Sequence, residues 1–134
     1  MITKHDLKNY RNLRTKIRLL KEQIEDLSGS IISPGSVKIT GMPMEHSADP
    51  DKIGNTIALI EKLTDVYNKK LKRCLEQQSK IEAAVEALND DEQNLIRLYY
   101  FQGLTWEEVC CHINYSWTSL HRKHKAILNK LKMV

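Results

Sequence analysis

The sequence predicts an all-α protein: a long antiparallel coiled-coil hairpin followed by a C-terminal unit of three short helices. Three observations carry that prediction. Two stretches place apolar residues at alternating steps of four and three, the spacing of a coiled-coil seam. Among 134 residues there are only three Pro and five Gly, with 28% charged, which is the composition of long helices and not of sandwiches or barrels. Aromatic residues make up 6% against 41% hydrophobic overall, so the core must be mostly aliphatic.

The first helix is expected to start after Thr3, which can cap it, and to stop at Ser28 and Gly29. Its seam is Leu13, Ile17, Leu20, Ile24 and Leu27, continued less regularly by Leu7 and Tyr10. Residues 29–49 hold Pro34, Pro43 and three of the five Gly, so they read as a long loop. Asp49 as cap and Pro50 at the first helical position announce the second helix. From there the heptad is strict: Ile53, Ile57, Ile60, Thr64, Tyr67, Leu71, Cys74, Gln78, Ile81, Val85 and Leu88. A helix ending at Leu88 would be roughly 58 Å long against roughly 38 Å for the first. An antiparallel pair therefore leaves a surplus, to be covered by a second subunit or by the C-terminal unit. An exposed stripe of Ile53, Ile57 and Ile60 would be costly in a monomer, which predicts a homodimer through the coiled coil. A hairpin with no second subunit is the simpler alternative.

After Leu88 the rhythm changes, so the division is expected to be 1–88 for the hairpin and 89–134 for the rest. Asn89 or Asp90 can cap a helix whose first turn is Asp90, Asp91 and Glu92, acids suited to the positive end of the helix dipole. Leu95, Ile96, Leu98, Tyr99 and Phe101 form its apolar face, and Gln102-Gly103 stops it, with Gly103 suited to a left-handed C-terminal position. Thr105-Trp106-Glu107-Glu108 is a capping box that opens a short helix carrying Val109, Cys110 and Ile113 inward. That helix breaks at Asn114 and Tyr115. Ser116 then caps a last helix, Trp117 to about Lys132, with Leu120, His124, Ile127, Leu128 and Leu131 on one face. Helix, glycine turn, capped helix, tight turn and basic helix is the order of a helix-turn-helix.

Gly103, Leu104, Thr105, Glu108, Val109, Ser116, Ser119, Leu120 and Arg122 fall on the pattern of sigma factor region 4, which residues 88–132 resemble. With a coiled-coil half ahead of that unit, the chain as a whole resembles phage late-gene transcription regulators of the ArpU/RinA kind. The resemblance implies a cytoplasmic, sequence-specific DNA-binding regulator with double-stranded DNA as its partner and RNA polymerase as a further one. The same unit also suits two other readings: an interaction module that binds RNA polymerase or another phage protein, and a phage DNA-packaging subunit.

Charge and side-chain chemistry point the same way. Net charge is +4, unevenly spread: Lys4 to Lys21 carries seven basic residues against Asp6, and the chain from Ser116 onward carries five against none. If the apolar face of the last helix turns inward, Trp117, Thr118, His121, Arg122 and Lys125 face outward, with Ser119 beside them, near the end that would enter a major groove. Arg122 can grip guanine in two places, Thr118 can touch a thymine methyl or a phosphate, and Lys125 suits a phosphate. For the Lys4 to Lys21 run, a solvated coiled-coil exterior is favoured over contact with DNA flanks.

Other chemistries are weakly represented. Cys110, Cys111 and His112 make poor zinc ligands, since adjacent helical side chains diverge by about 100° and no C-x-x-C pair exists. There is no phosphate-cradling glycine loop or nucleophile elbow, so neither catalysis nor a metal or cofactor is expected. Three cysteines at these spacings make no disulfide framework, and no cleavable apolar segment opens the sequence, so a reducing cytoplasm is expected. No stretch reaches the ~20 apolar residues needed to span a membrane.

Overall fold

The computed structural model describes residues 1–32 and 50–133. All regular structure in them is helical: α1 Lys4–Ile32, α2 Pro50–Val85, α3 Asp90–Ile96 running on into a π-helical turn Arg97–Phe101, α4 Trp106–Ile113 and α5 Trp117–Met133. No described helix is long and apolar enough to cross a membrane.

Local chemistry explains the helix starts. Thr3 caps α1 through its hydroxyl, which accepts the Asp6 N–H at 3.2 Å, while the Asp6 carboxylate accepts the Thr3 N–H at 3.0 Å. Those contacts hold the Asp6 carboxyl below its usual range, the Thr3 backbone bond first among them. Pro50 occupies the first position of α2, as expected, and Asp49, its expected cap, lies outside the described residues.

α1 does not stop at Ser28 and Gly29. It runs on to Ile32, with the Ser30 hydroxyl donating to the Leu27 carbonyl at 2.8 Å. A mid-helix glycine costs only ~1 kcal/mol, and Ile31 in the added turn is partly buried, so packing outweighs the local signal. Of the loop expected over 29–49, residues 29–32 are thus helical and 33–49 lie outside the described residues. α2 ends at Val85, a turn earlier than expected, and buried Leu88 follows in a tight turn closed by its own N–H on the Val85 carbonyl at 2.9 Å. With 29 residues in α1 and 36 in α2, the mismatch in length is half that expected.

The chain divides into two compact units, one of residues 1–16 and 72–134 and the other of residues 17–71. In the second, α1 and α2 lie side by side: Lys21, Ile24 and Glu25 share one shallow cavity with Thr64, Tyr67 and Asn68. Leu20, Ile24, Leu27, Ile60, Tyr67 and Leu71 on the seam are only partly buried, and Ile53 and Ile57 remain 36% and 44% exposed.

The first unit is better packed. Leu7 and Tyr10 from α1, Val85 from α2, Leu95 and Ile96 from α3, Val109 from α4, and Leu120, Ile127 and Leu131 from α5 are all fully buried. Each such aliphatic side chain contributes roughly 1.5–3 kcal/mol. Tyr10 meets the Phe101 ring edge-on at 5.2 Å, the Ile2 N–H reaches the Leu131 carbonyl at 3.4 Å, and Arg97 grips Glu82 with two bonds of 2.9 Å. The boundary expected after residue 88 therefore lies inside this unit, because the ends of both long helices supply part of its core.

Candidate nucleic-acid interface

Two caps define α3 and α4. Asn89 accepts the Glu92 N–H at 2.9 Å and Glu92 accepts the Asn89 N–H at 3.2 Å; Thr105 and Glu108 repeat that exchange at 3.2 Å each way. Gly103 takes φ +76, the left-handed conformation expected of it, and Asn114 ends α4 at φ 54. Ser116 caps α5 by accepting the Ser119 N–H at 3.2 Å. The order of helices expected of a helix-turn-helix is thus present.

All five residues expected on the inner face of α5 are buried, His124 among them. Its Nε2 lies 2.8 Å from the Tyr100 hydroxyl, so the one polar group on this face has a partner. Burial first, then nearby Lys4 and His121, lowers the His124 pKa to about 4. A neutral ring follows at physiological pH. Burial also raises the Tyr100 pKa, so its hydroxyl stays protonated.

Two of the basic residues of α5 are tied to neighbouring groups. Lys130 meets the Glu92 carboxylate at 2.6 Å. Burial would raise the Glu92 pKa, but Lys130 and the Asn89 N–H outweigh it and keep the carboxyl below its usual range. Lys123 donates to the Tyr115 hydroxyl at 2.7 Å, which raises its own pKa, and stands 4.0 Å from Asp91.

Exposed on the other side are Trp117, which is 51% exposed, together with Thr118, Ser119, Arg122 and Lys125. Thr118, Arg122 and Lys125 follow a 4,3 spacing down one face, and exposed Asn129 continues it. Among the described residues no ion pair holds Arg122 or Lys125. His121 does not face outward as expected. It is partly buried, its ring 4.4 Å from that of Trp117 and 5.1 Å from that of Trp106, and its Nε2 is enclosed without a hydrogen-bond partner. The Trp106 and Trp117 rings pack against it from two helices and cover it.

Sequence reasoning missed the Tyr100–His124 bond, for which a histidine on an apolar face was the available signal. It also missed Arg11. From α1, Arg11 donates to the carbonyls of Tyr99 at 3.0 Å, Leu104 at 3.2 Å and Gly103 at 3.4 Å. Cys110 is partly buried and Cys111 exposed, and among the described residues no three His, Cys, Asp or Glu side chains gather as metal ligands.

Fold and site together define an all-α protein whose C-terminal unit has helix-turn-helix order and a basic outer face on its last helix. The chain belongs to the family described as Protein of unknown function (DUF722), which matches residues 45–133, about two-thirds of its length, and so takes in α2 as well as the three-helix unit. No curated protein and no solved structure matches the chain.

Proposed function

We propose that this protein is a sequence-specific DNA-binding transcription regulator that reads the major groove with α5. The observation that carries this reading is the division of labour among the side chains of α5. Leu120, His124, Ile127, Leu128 and Leu131 are buried, and Lys123 and Lys130 are held by Tyr115, Asp91 and Glu92. Thr118, Arg122 and Lys125 are left as one exposed stripe of base-edge and phosphate chemistry. Trp117 and Ser119 flank its N-terminal end, and His121 acts by supporting Trp117 rather than by touching DNA. The resemblance of residues 88–132 to sigma factor region 4 supports the same reading. It suggests a cytoplasmic phage or prophage late-gene activator of the ArpU/RinA kind, with RNA polymerase as a further partner. Exposed Ile53 and Ile57 on the seam support a homodimer through the coiled coil.

The deciding experiment is a gel shift of the full chain against DNA surrounding its own gene, at two salt concentrations. Binding that prefers one fragment and weakens steeply with salt is expected. If no fragment is preferred while the chain captures RNA polymerase, the interaction-module reading replaces this one.

A further inference from the structure

At the end of the α3 helix the backbone is wound wide. Gln102 donates to Arg97 five residues back, at 2.8 Å, and Leu104 to Leu98 at 3.1 Å. Three carbonyls of this turn and the glycine corner after it, those of Tyr99, Gly103 and Leu104, accept bonds from a single guanidinium 88 to 93 residues away in the chain, that of Arg11. The same guanidinium lies 4.3 Å from the centroid of the Tyr99 ring. From there aromatic contacts continue without a gap. Tyr99 packs on Trp106 at 3.6 Å, Trp106 on His121 at 5.1 Å, and His121 on Trp117, the first residue of α5, at 4.4 Å. A lysine could not replace Arg11, because a point charge supplies neither the fork that reaches three acceptors nor a plane that stacks on a ring.

We propose that Arg11 is a positioning residue for DNA recognition, holding the turn before α4 and, through the Tyr99–Trp106–His121–Trp117 stack, setting the end of α5 that enters the groove. This rests on the DNA-binding reading above. It makes α1 a determinant of what α5 recognises, beyond any part it takes in dimerisation.

The test uses the full chain carrying Arg11→Lys or Arg11→Met, with Arg14→Met as the control. Arg14 donates to the Tyr10 hydroxyl within α1 and is not part of the stack. Trp106 and Trp117 are the only two tryptophans, so indole emission and its quenching by acrylamide report on the stack without DNA. Well below the unfolding midpoint, both Arg11 variants should shift emission and bind the preferred DNA roughly 3- to 30-fold more weakly, with the salt slope unchanged. Arg14→Met should alter neither emission nor affinity. Unchanged emission, or shifted emission with unchanged affinity, overturns the proposal. So does a salt slope flattened by about one unit, which would make Arg11 a direct phosphate contact. If an Arg11 variant unfolds, Tyr99→Leu breaks the stack one link further on and must give the same pair of changes. Were the parent chain to prefer no DNA, the DNA-binding reading would fall, while the emission arm would still decide whether Arg11 holds the stack.

Discussion

The same heptad runs through both compact units, yet it does different things in each. In the unit of residues 1–16 and 72–134, seam residues such as Leu7, Leu13, Cys74, Ile81 and Val85 are buried, because α3 to α5 supply further apolar surface. Among the described residues of the unit 17–71 only two helices are available, and the seam thins to the exposed Ile53 and Ile57. A spacing of four and three therefore specifies which face is apolar, while the depth of burial depends on how many elements converge there. Where only two converge, one side of the seam stays exposed.

Core substitutions should break this contrast most strongly. Leu120→Ala, at a wholly buried site, should cost about 2–5 kcal/mol in urea unfolding. A loss under about 1 kcal/mol would mean the first unit is no better packed than the second.

Acid should act next, and again on the first unit. His124 has a folded pKa of about 4 against an ordinary 6.5, so well above pH 6.5 the ring is neutral folded or unfolded and contributes no pH dependence. As pH falls below 6.5 the unfolded chain takes up a proton that the folded chain refuses. Stability should then drop by roughly 2.5 kcal/mol between pH 7 and 4.5. Asp6, Glu82 and Glu92, whose pKa values are lowered, begin to lose their contributions only near the acid end of this window and lose most of them below it, so the histidine dominates between about pH 7 and 5. Urea midpoints across it should flatten in His124→Gln, and an equally steep curve in that variant would remove His124 as the cause.

Within the first unit, the outer face of α5 can be set against its inner face. Arg122→Ala should cost roughly 1–3 kcal/mol of DNA binding and relax preference at one base, whereas Lys125→Ala should weaken all sequences alike and flatten the salt slope by about one unit. Thermal midpoints of both should stay where they were, since neither side chain is packed. Titrations in which both variants match the parent would end the assignment of this stripe.

The smallest effect on stability belongs to the second unit. Ile57→Ser removes an exposed methyl-bearing side chain and should change unfolding by no more than about 0.5 kcal/mol at concentrations where the chain is monomeric. Light scattering at micromolar concentration is the sharper measurement: a dimer in the parent and a monomer in the variant are expected, and a parent that is already monomeric would count against a partner on the seam.

What could be read from the sequence was local in origin. Thr3, Asn89, Thr105 and Ser116 act as caps because a capping oxygen needs only an N–H two or three residues on, and the five inward residues of α5 follow from period alone. The passage of α1 through Ser28 and Gly29 was not legible, since a weak local stop yielded to packing. His121 was misplaced because Trp106, on another helix, closes over it. Arg11 had the fewest signals of all: nothing near it in the chain indicates that its acceptors lie 88 to 93 residues further on, after α2 in the sequence.

The wide turn Arg97–Phe101 has a consequence for how this chain can change. A π-helical turn holds one residue more than α-helical winding needs, so losing a single residue there would let the segment close into a continuous α-helix. Everything after it would keep nearly its present direction, since the residue lost is the one that the wider turn takes up. Within the turn itself the side chains would shift by one position, so that Tyr99 and Tyr100 would lose their present places against Arg11 and His124. Length in this stretch is thus taken up by the winding: a one-residue deletion in Arg97–Phe101 would disturb the contacts of the turn itself, whereas the same deletion inside α5 would carry all that follows it about 100° around the helix axis.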